Sequence, residues 1–230
     1  MANSPATEKV IPYTLLGMTV VTGLVDAVSF LSLGRVFTAN MTGNIVILAF
    51  ATAHVSGLSI ARSLTALLAF LAGTILGGRI MAPASADSQI RLVALVSLLE
   101  VAFLFAASFC GIGYHGDFLQ HSFQPFALIA LTALAMGTRN AAVRKLAIPD
   151  LTTTVLTLTI TGIGADSSLA NGNNPRLARR VASVAAMFLG AALGAVVIRY
   201  SIAAALWLAT AISGACSVVL FRSAPASDKR

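Results

Sequence analysis

Apolar residues run almost unbroken over 11–33, 60–81, 91–112, 125–146, 177–199 and 201–221. Each run reaches or exceeds the roughly 20 residues a helix needs to cross about 30 Å of hydrocarbon. Six spanning helices are therefore predicted. Polar breaks separate them: PASADSQ at 83–89, GYHGDFLQHSFQ at 113–124 and DSSLANGNNPR at 166–176. Their Pro, Asn, Gly and Ser end helices and form turns.

Two shorter segments do not fit this alternation. FTANMTGN opens one, which continues apolar over 40–56; the other is LTTTVLTLTITGIG at 151–164. As a straight helix the second reaches only about 21 Å at 1.5 Å per residue, short of a full crossing. Non-helical chain at membrane depth survives only where protein buries it or where it lines a wet cavity. Both segments are therefore expected to enter the bilayer part-way and return.

Composition agrees. The chain is 57% hydrophobic and 10% charged, against about 25% charged in a soluble domain. The net charge of +7 does not point to nucleic acid, because the basic residues sit at the ends of apolar runs, where the positive-inside rule collects them. That rule also tests the two short segments. If both crossed, with the N-terminus inside, eight Lys and Arg would be cytoplasmic and seven external, which is no bias. If both return, only Arg35, Arg62 and Arg199 are external, and the other twelve of 15 are cytoplasmic. The second arrangement is preferred, with both termini cytoplasmic. The N-terminus lacks the basic region and small-residue cleavage site of a secretory signal, so the first run is expected to act as an uncleaved insertion signal.

The fold class is thus an all-α polytopic transmembrane bundle forming one membrane domain over 1–230. An internal repeat is also indicated. GLVDA at 23–27 matches GTRNA at 137–141, and the polar Thr/Asn stretches follow each. Ala61 and Arg62 with Gly73, Leu76 and Gly77 match Ala178 and Arg179 with Gly190, Leu193 and Gly194. Halves of about 11–112 and 125–221 with three spans each run in opposite directions, an inverted repeat of the kind found in transporters.

Candidate solute-binding groups are Asp26, Asn40, Thr42, Asn44, Asn140, Thr153, Thr154 and Thr157. Asn and Thr supply donors and acceptors, and two facing half-helix starts would add positive potential suited to a polar or anionic solute. For Asn40 alone, simple helix capping is the stronger reading. Asp26, Glu100 and Arg139 are ionisable residues inside spans. A charge at mid-membrane costs about 2.5–3.5 kcal/mol on insertion scales, so such residues pair or work. Asp26 and Arg139 are expected to approach one another across the repeat axis, as a salt bridge or a protonation switch. The bland alternative has Arg139 snorkelling toward the headgroups with Arg144 and Lys145, and Glu100 as a protonated acid bonded to a neighbouring helix.

GTILG at 73–77 and GAALG at 190–194 are GxxxG motifs, expected to bring helices of the two halves close together. Cys110 and Cys216 lie within apolar runs, and His54, His115 and His121 have no ligand spacing. No metal, cofactor or catalytic constellation is predicted, and no enzyme.

GLVDAVSFLSLGRVFTANMTGN and MGTRNAAVRKLAIPDLTTTVLTLTITGIG together resemble the YoaK-type family of bacterial multi-pass membrane proteins, a domain of unknown function. Asp26, Phe30, Leu31 and Met41 to Asn44 match its first motif. Met136, Gly137, Asn140, Ala141, Thr153, Thr154 and Thr157 match its second. Arg139 stands where Gln is usual, and Leu158 where Gly would follow Thr157. The resemblance implies a bacterial inner membrane and about six helices, and no substrate.

The expected function is that of a transporter or channel-like permease for a small polar or anionic solute. The alternative is a non-transporting assembly or signalling partner whose polar motifs only pack helices. Partners are the lipid bilayer and an unidentified solute, with self-association left open.

Overall fold

A computed structural model of the chain describes residues 5–85, 88–114, 116, 123–148, 153–154 and 156–224. Among these residues the secondary structure is helical throughout: α1 (Pro5–Ser32), α2 (Met41–Thr52), α3 (Ile60–Met81), α4 (Gln89–Cys110), α5 (Gln124–Leu146), α6 (Thr157–Ala165), α7 (Leu177–Ile198) and α8 (Ile202–Ser223), with a 3₁₀ turn at Ser168–Ala170. Six of these, all but α2 and α6, are long and apolar enough to span a bilayer. With 12 residues in α2 and 9 in α6, these two helices extend only about 18 and 14 Å. Neither can cross. The protein is a multi-pass membrane protein.

The ends of the helices follow from local chemistry. Gly34, at φ +96°, supplies the left-handed turn that stops α1, a conformation that strains most other residues. Pro125 starts α5 at a position where its missing N–H is not needed. Ser59 and Ser201 cap α3 and α8 by accepting from the amides of Arg62 and Ala204. Three helices finish with cations in their last turn: Arg79 in α3, Arg144 and Lys145 in α5, and Arg222 in α8. No such residue ends α1, α4 or α7. Gln89 Nε2 donates to Lys145 O at 2.8 Å, so α4 begins beside the end of α5. At the opposite face of the bundle, Tyr114 Oη donates to Ser32 O at 3.1 Å.

Glycine sets the helix spacing. Gly23 of α1 lies against the backbone of Met187, Gly190 and Ala191 of α7, and Gly190 lies against the carbonyl of Val20. In a matching pair Gly137 of α5 lies against Phe70 and Thr74 of α3, and Gly73 against Leu134 O. Gly77 meets Thr138 and Ala141; Gly194 meets Leu24 and Ala27. The GxxxG motifs therefore do bring α3 onto α5 and α7 onto α1. These two pairs, with α4 on α8, α4 on α5 and α1 on α8, make the main interfaces. The helices α1 and α5 are the most enclosed, whereas α3 and α7 turn most of their surface outward.

Two apolar clusters fill the bundle. One gathers Leu24, Val28, Leu104, Leu128, Met136 and Leu206. The other gathers Leu15, Met18, Val93, Val96, Ala142 and Leu220. Between them, at the middle of the spans, lies a polar layer.

Gly190→Ala should lower the melting temperature of the detergent-solubilised protein, because the added methyl overlaps a backbone carbonyl and overpacking costs ~1–3 kcal/mol. Gly214, whose Cβ would meet nothing within 4 Å, is the control. Gly214→Ala should leave that temperature unchanged or raise it, as Ala is favoured over Gly in helices by about 1 kcal/mol.

Candidate functional site

The polar layer is built on four helices. Arg139 of α5 and Glu100 of α4 form a salt bridge, Nη1 to Oε1, at 3.0 Å, with side chains 1% and 0% exposed. Arg139 Nη1 also donates to Met18 O on α1 at 3.0 Å. Its Nη2 donates to Thr22 Oγ1, again on α1. Thr22 in turn donates to Met18 O at 3.1 Å. Ser213 of α8 lies beside the Glu100 carboxylate. Glu100 Oε2, Arg139 Nε and Ser213 Oγ have no formed hydrogen bond. Glu100, Ser213 and Thr22 stand near the centres of their spans. Arg139 lies past the middle of α5, and long helical side chains lean toward the N-terminus, which carries its guanidinium back into the layer.

This geometry corrects two expectations. Arg139 pairs with Glu100, not with Asp26, and it does not snorkel to the headgroups. Glu100 does bond to a neighbouring helix, and its partner there is Arg139. The physical reason is orientation: Arg139 and Asp26 are close in the repeat register, but that register does not say which side chain turns inward toward which helix. Asp26 is one helical turn beyond Thr22, and its Oδ1 accepts from Ala39 N at 3.1 Å.

The first polar segment is tied together by its own groups. Asn40 caps α2 by accepting from Gly43 N at 3.3 Å, as the capping reading expects. Asn44, fully buried, pairs with the backbone of Phe37: Oδ1 accepts from Phe37 N at 2.8 Å, and Nδ2 donates to Phe37 O. This amide does for Phe37 what a neighbouring strand would do, answering both backbone groups where lipid answers neither. Thr42 is exposed. Phe30 and Phe37 stack with centroids 4.9 Å apart, closing the turn on its apolar side.

The second segment repeats the device in part. Asn140 Oδ1 accepts from Thr154 Oγ1 at 2.7 Å. Asp26 and Asn140, the matched positions of GLVDA and GTRNA, thus each reach forward to the chain that leads into the following short helix. Thr38 and Thr153, the residues just before Ala39 and Thr154, are both buried with hydroxyls lacking a partner. Thr153 has φ +60°, a conformation that a β-branched residue rarely adopts. Thr157 is exposed at the start of α6. Thr152, His115 and His121 lie outside the described residues.

The two segments do not face each other. Among the described residues α2 packs on α3, α6 packs on α7, and α2 does not touch α6. The reason lies in the glycine contacts, which put α3 and α7 on opposite flanks of the bundle and carry the short helices with them. The half-helix starts are separate, and the charged layer is the feature at the centre.

Several contributors carried no sequence signal beyond position. Thr22 and Ser213 are hydroxyls at the centres of apolar spans, a placement that could have marked them. Arg180, rather than the motif-matched Arg179, is the buried cation of α7. Its Nη2 meets Asp166 Oδ2 at 2.7 Å and its Nη1 donates to Gly162 O, tying α6 to α7.

Removing one member of the central pair should be severe and removing both should not. Glu100→Met or Arg139→Met alone should cost ~3–5 kcal/mol by stranding a buried charge, while the double variant recovers most of that loss. Thermal unfolding in detergent measures all three. In the same assay Asn44→Ala, which strands the buried amide and carbonyl of Phe37, should lose ~2–4 kcal/mol, more than the ~1 kcal/mol expected for capping Asn40→Ala.

Comparison with known proteins agrees with the fold. Residues 14–219 match a family model described as "Protein of unknown function (DUF1275)". The chain is 36% identical over 156 residues to the UPF0700 transmembrane protein YoaK of Bacillus subtilis (strain 168), covering 67% of each chain. No solved structure matches. The chain belongs to the DUF1275 family of membrane proteins, the YoaK-type family.

Proposed function

We propose that this protein is a secondary transporter or channel-like permease for a small polar or anionic solute, with its solute site in the mid-membrane layer. The observation that carries the reading is the Glu100–Arg139 pair and the unpartnered polar atoms around it. A buried ion pair is a weak stability device, since apolar residues of like volume often serve as well. Ionisable residues inside spans are most often found on solute and proton pathways.

The reading also includes an inverted repeat. The glycine contacts support it: Gly23 and Gly137 make matching approaches, as do Gly73 and Gly190, and Gly77 and Gly194. With three crossing helices and one short helix per half, the second half enters the membrane from the other side, as in transporters that alternate access around a central site. The cations in the last turns of α3, α5 and α8 support a cytoplasmic location for that face, and with it cytoplasmic termini in a bacterial inner membrane.

A second reading has a specific observation behind it. Asp26, Asn40, Asn44, Asn140 and Thr154 are engaged in holding their own segments, which favours a packing role for those motifs in an assembly or signalling partner. Their bonds to their own segments keep them apart from the proposed solute site.

Flux through reconstituted protein decides between the two. Proteoliposomes should carry at least one solute of a panel of labelled small anions and polar neutral solutes faster than protein-free vesicles. Arg139→Met should cut that flux ~10–100-fold, the value of one or two charged hydrogen bonds of ~1.5–3 kcal/mol. Folded protein that carries nothing in the panel would overturn the transport reading.

A further inference from the structure

We propose that Glu100 is the proton-binding group of this site, and that the layer carries one proton together with one monovalent anion. This rests on the transport reading above and names its solute class and its coupling ion. Charge must balance inside a buried layer of low dielectric. In the structure the carboxylate of Glu100 and the guanidinium of Arg139 sum to zero and touch at 3.0 Å. An anion arriving alone would set a second negative charge beside Glu100, and two like charges cannot both stay ionised in one buried site. A cation arriving alone would face the same objection from Arg139.

A proton and an anion arriving together remove the conflict. The proton adds to Glu100, whose Oε2 has no partner, and the carboxyl becomes neutral. Arg139 Nη1 then loses its ionic partner, and with Nε, which already lacks one, it becomes free to donate to the anion. The loaded site again sums to zero: neutral acid, guanidinium, anion. On release the anion departs, the proton leaves Glu100, and Oε1 returns to Nη1. Thr22 and Met18 O keep hold of Arg139 in both states, so the guanidinium stays in place while its partner changes.

The groups facing Glu100 are consistent with this assignment. Its neighbour α5 brings Arg139, and α8 brings Ser213 and the thiol of Cys216. The cations of α3, Arg62 and Arg79, lie at its two ends. Helix α1 brings Thr22 and, one turn on, Asp26, which is occupied with Ala39. Arg139 is therefore the one cation among the described residues placed to answer both Glu100 and a solute.

The test is proton movement in proteoliposomes with pyranine inside, given an inward gradient of chloride, nitrate or lactate and corrected for protein-free vesicles. The expected result is internal acidification matching radiolabelled anion uptake one for one, unchanged when valinomycin and potassium clamp the membrane potential. Glu100→Gln should abolish the acidification and make anion movement depend on that potential. Wild-type protein that carries none of the three anions would overturn this proposal; loss of the broader transport reading would follow only if the polar neutral solutes also failed. Anion uptake without acidification, or acidification that survives in Glu100→Gln, would overturn this proposal while leaving transport standing. Should Glu100→Gln not fold, the wild-type stoichiometry and its indifference to potential decide alone, and voltage-driven uptake would sink the idea.

Discussion

Hydrocarbon offers no hydrogen bonds, so every polar group that leaves helical geometry or carries charge inside the bilayer must be answered by the protein itself. The structure depends on how this chain meets that demand at three places. Before α2, Asp26 takes the amide of Ala39 while Asn44 takes both backbone groups of Phe37. Before α6, Asn140 takes the hydroxyl of Thr154. At the centre, Arg139 is answered by an acid, a hydroxyl and a carbonyl drawn from two other helices. The first two places hold the connectors that lead into the short helices α2 and α6. The third keeps two charges where neither could stand alone.

Such contacts need fixed distances, and glycine supplies them. A side chain reaching from α1 or α5 to the connector that follows it can do so only if these helices are held rigidly. Close approach of Gly23 and Gly190 seats α1 on α7, and that of Gly73, Gly77 and Gly137 seats α5 on α3. In a bilayer the hydrophobic effect does not drive helices together, so dense backbone contact has to. With their outer faces covered in this way, α1 and α5 turn inward to α4 and α8, and the four enclose the polar layer. The rim motifs and the central pair are thus parts of one arrangement.

How much of this could be read from the chain follows from what each signal measures. Span length is imposed by the bilayer, so the six crossing helices were legible to within a few residues. The same length rule showed that 151–164 was too short, and the distribution of Lys and Arg set 40–56 beside it. Helix facing was not legible. In soluble proteins an apolar stripe shows which side is buried, but here Leu68 and Phe188, on the lipid-facing helices, are as apolar as Leu104 in the core. Opposite charge therefore suggested joining Arg139 to Asp26, although the matched motifs already aligned Asp26 with Asn140. Each of those two bonds to the connector before the short helix that follows it. Asn44 stood out as polar within apolar surroundings, but its bond to Phe37 depends on a turn that spacing alone does not specify.

The two halves of the proposed repeat differ in charge, and this difference bears on the number of sites the transport proposal allows. On the proposed two-fold scaffold α4 corresponds to α8, each of 22 residues. Counting from their starts, Glu100 then falls opposite Ser213. Arg139, next to Asn140, falls opposite Val25, next to Asp26. The ionic contact made between α4 and α5 thus has a serine and a valine in the equivalent place between α8 and α1. Ser213 nevertheless lies beside Glu100, as expected if both stand close to the axis relating the halves. A fully symmetric charge set would crowd two acids and two guanidinium groups into that layer, where like charges repel strongly at low dielectric. Keeping charge in one half leaves a single acid and a single cation near the proposed axis, and so one proposed site instead of two.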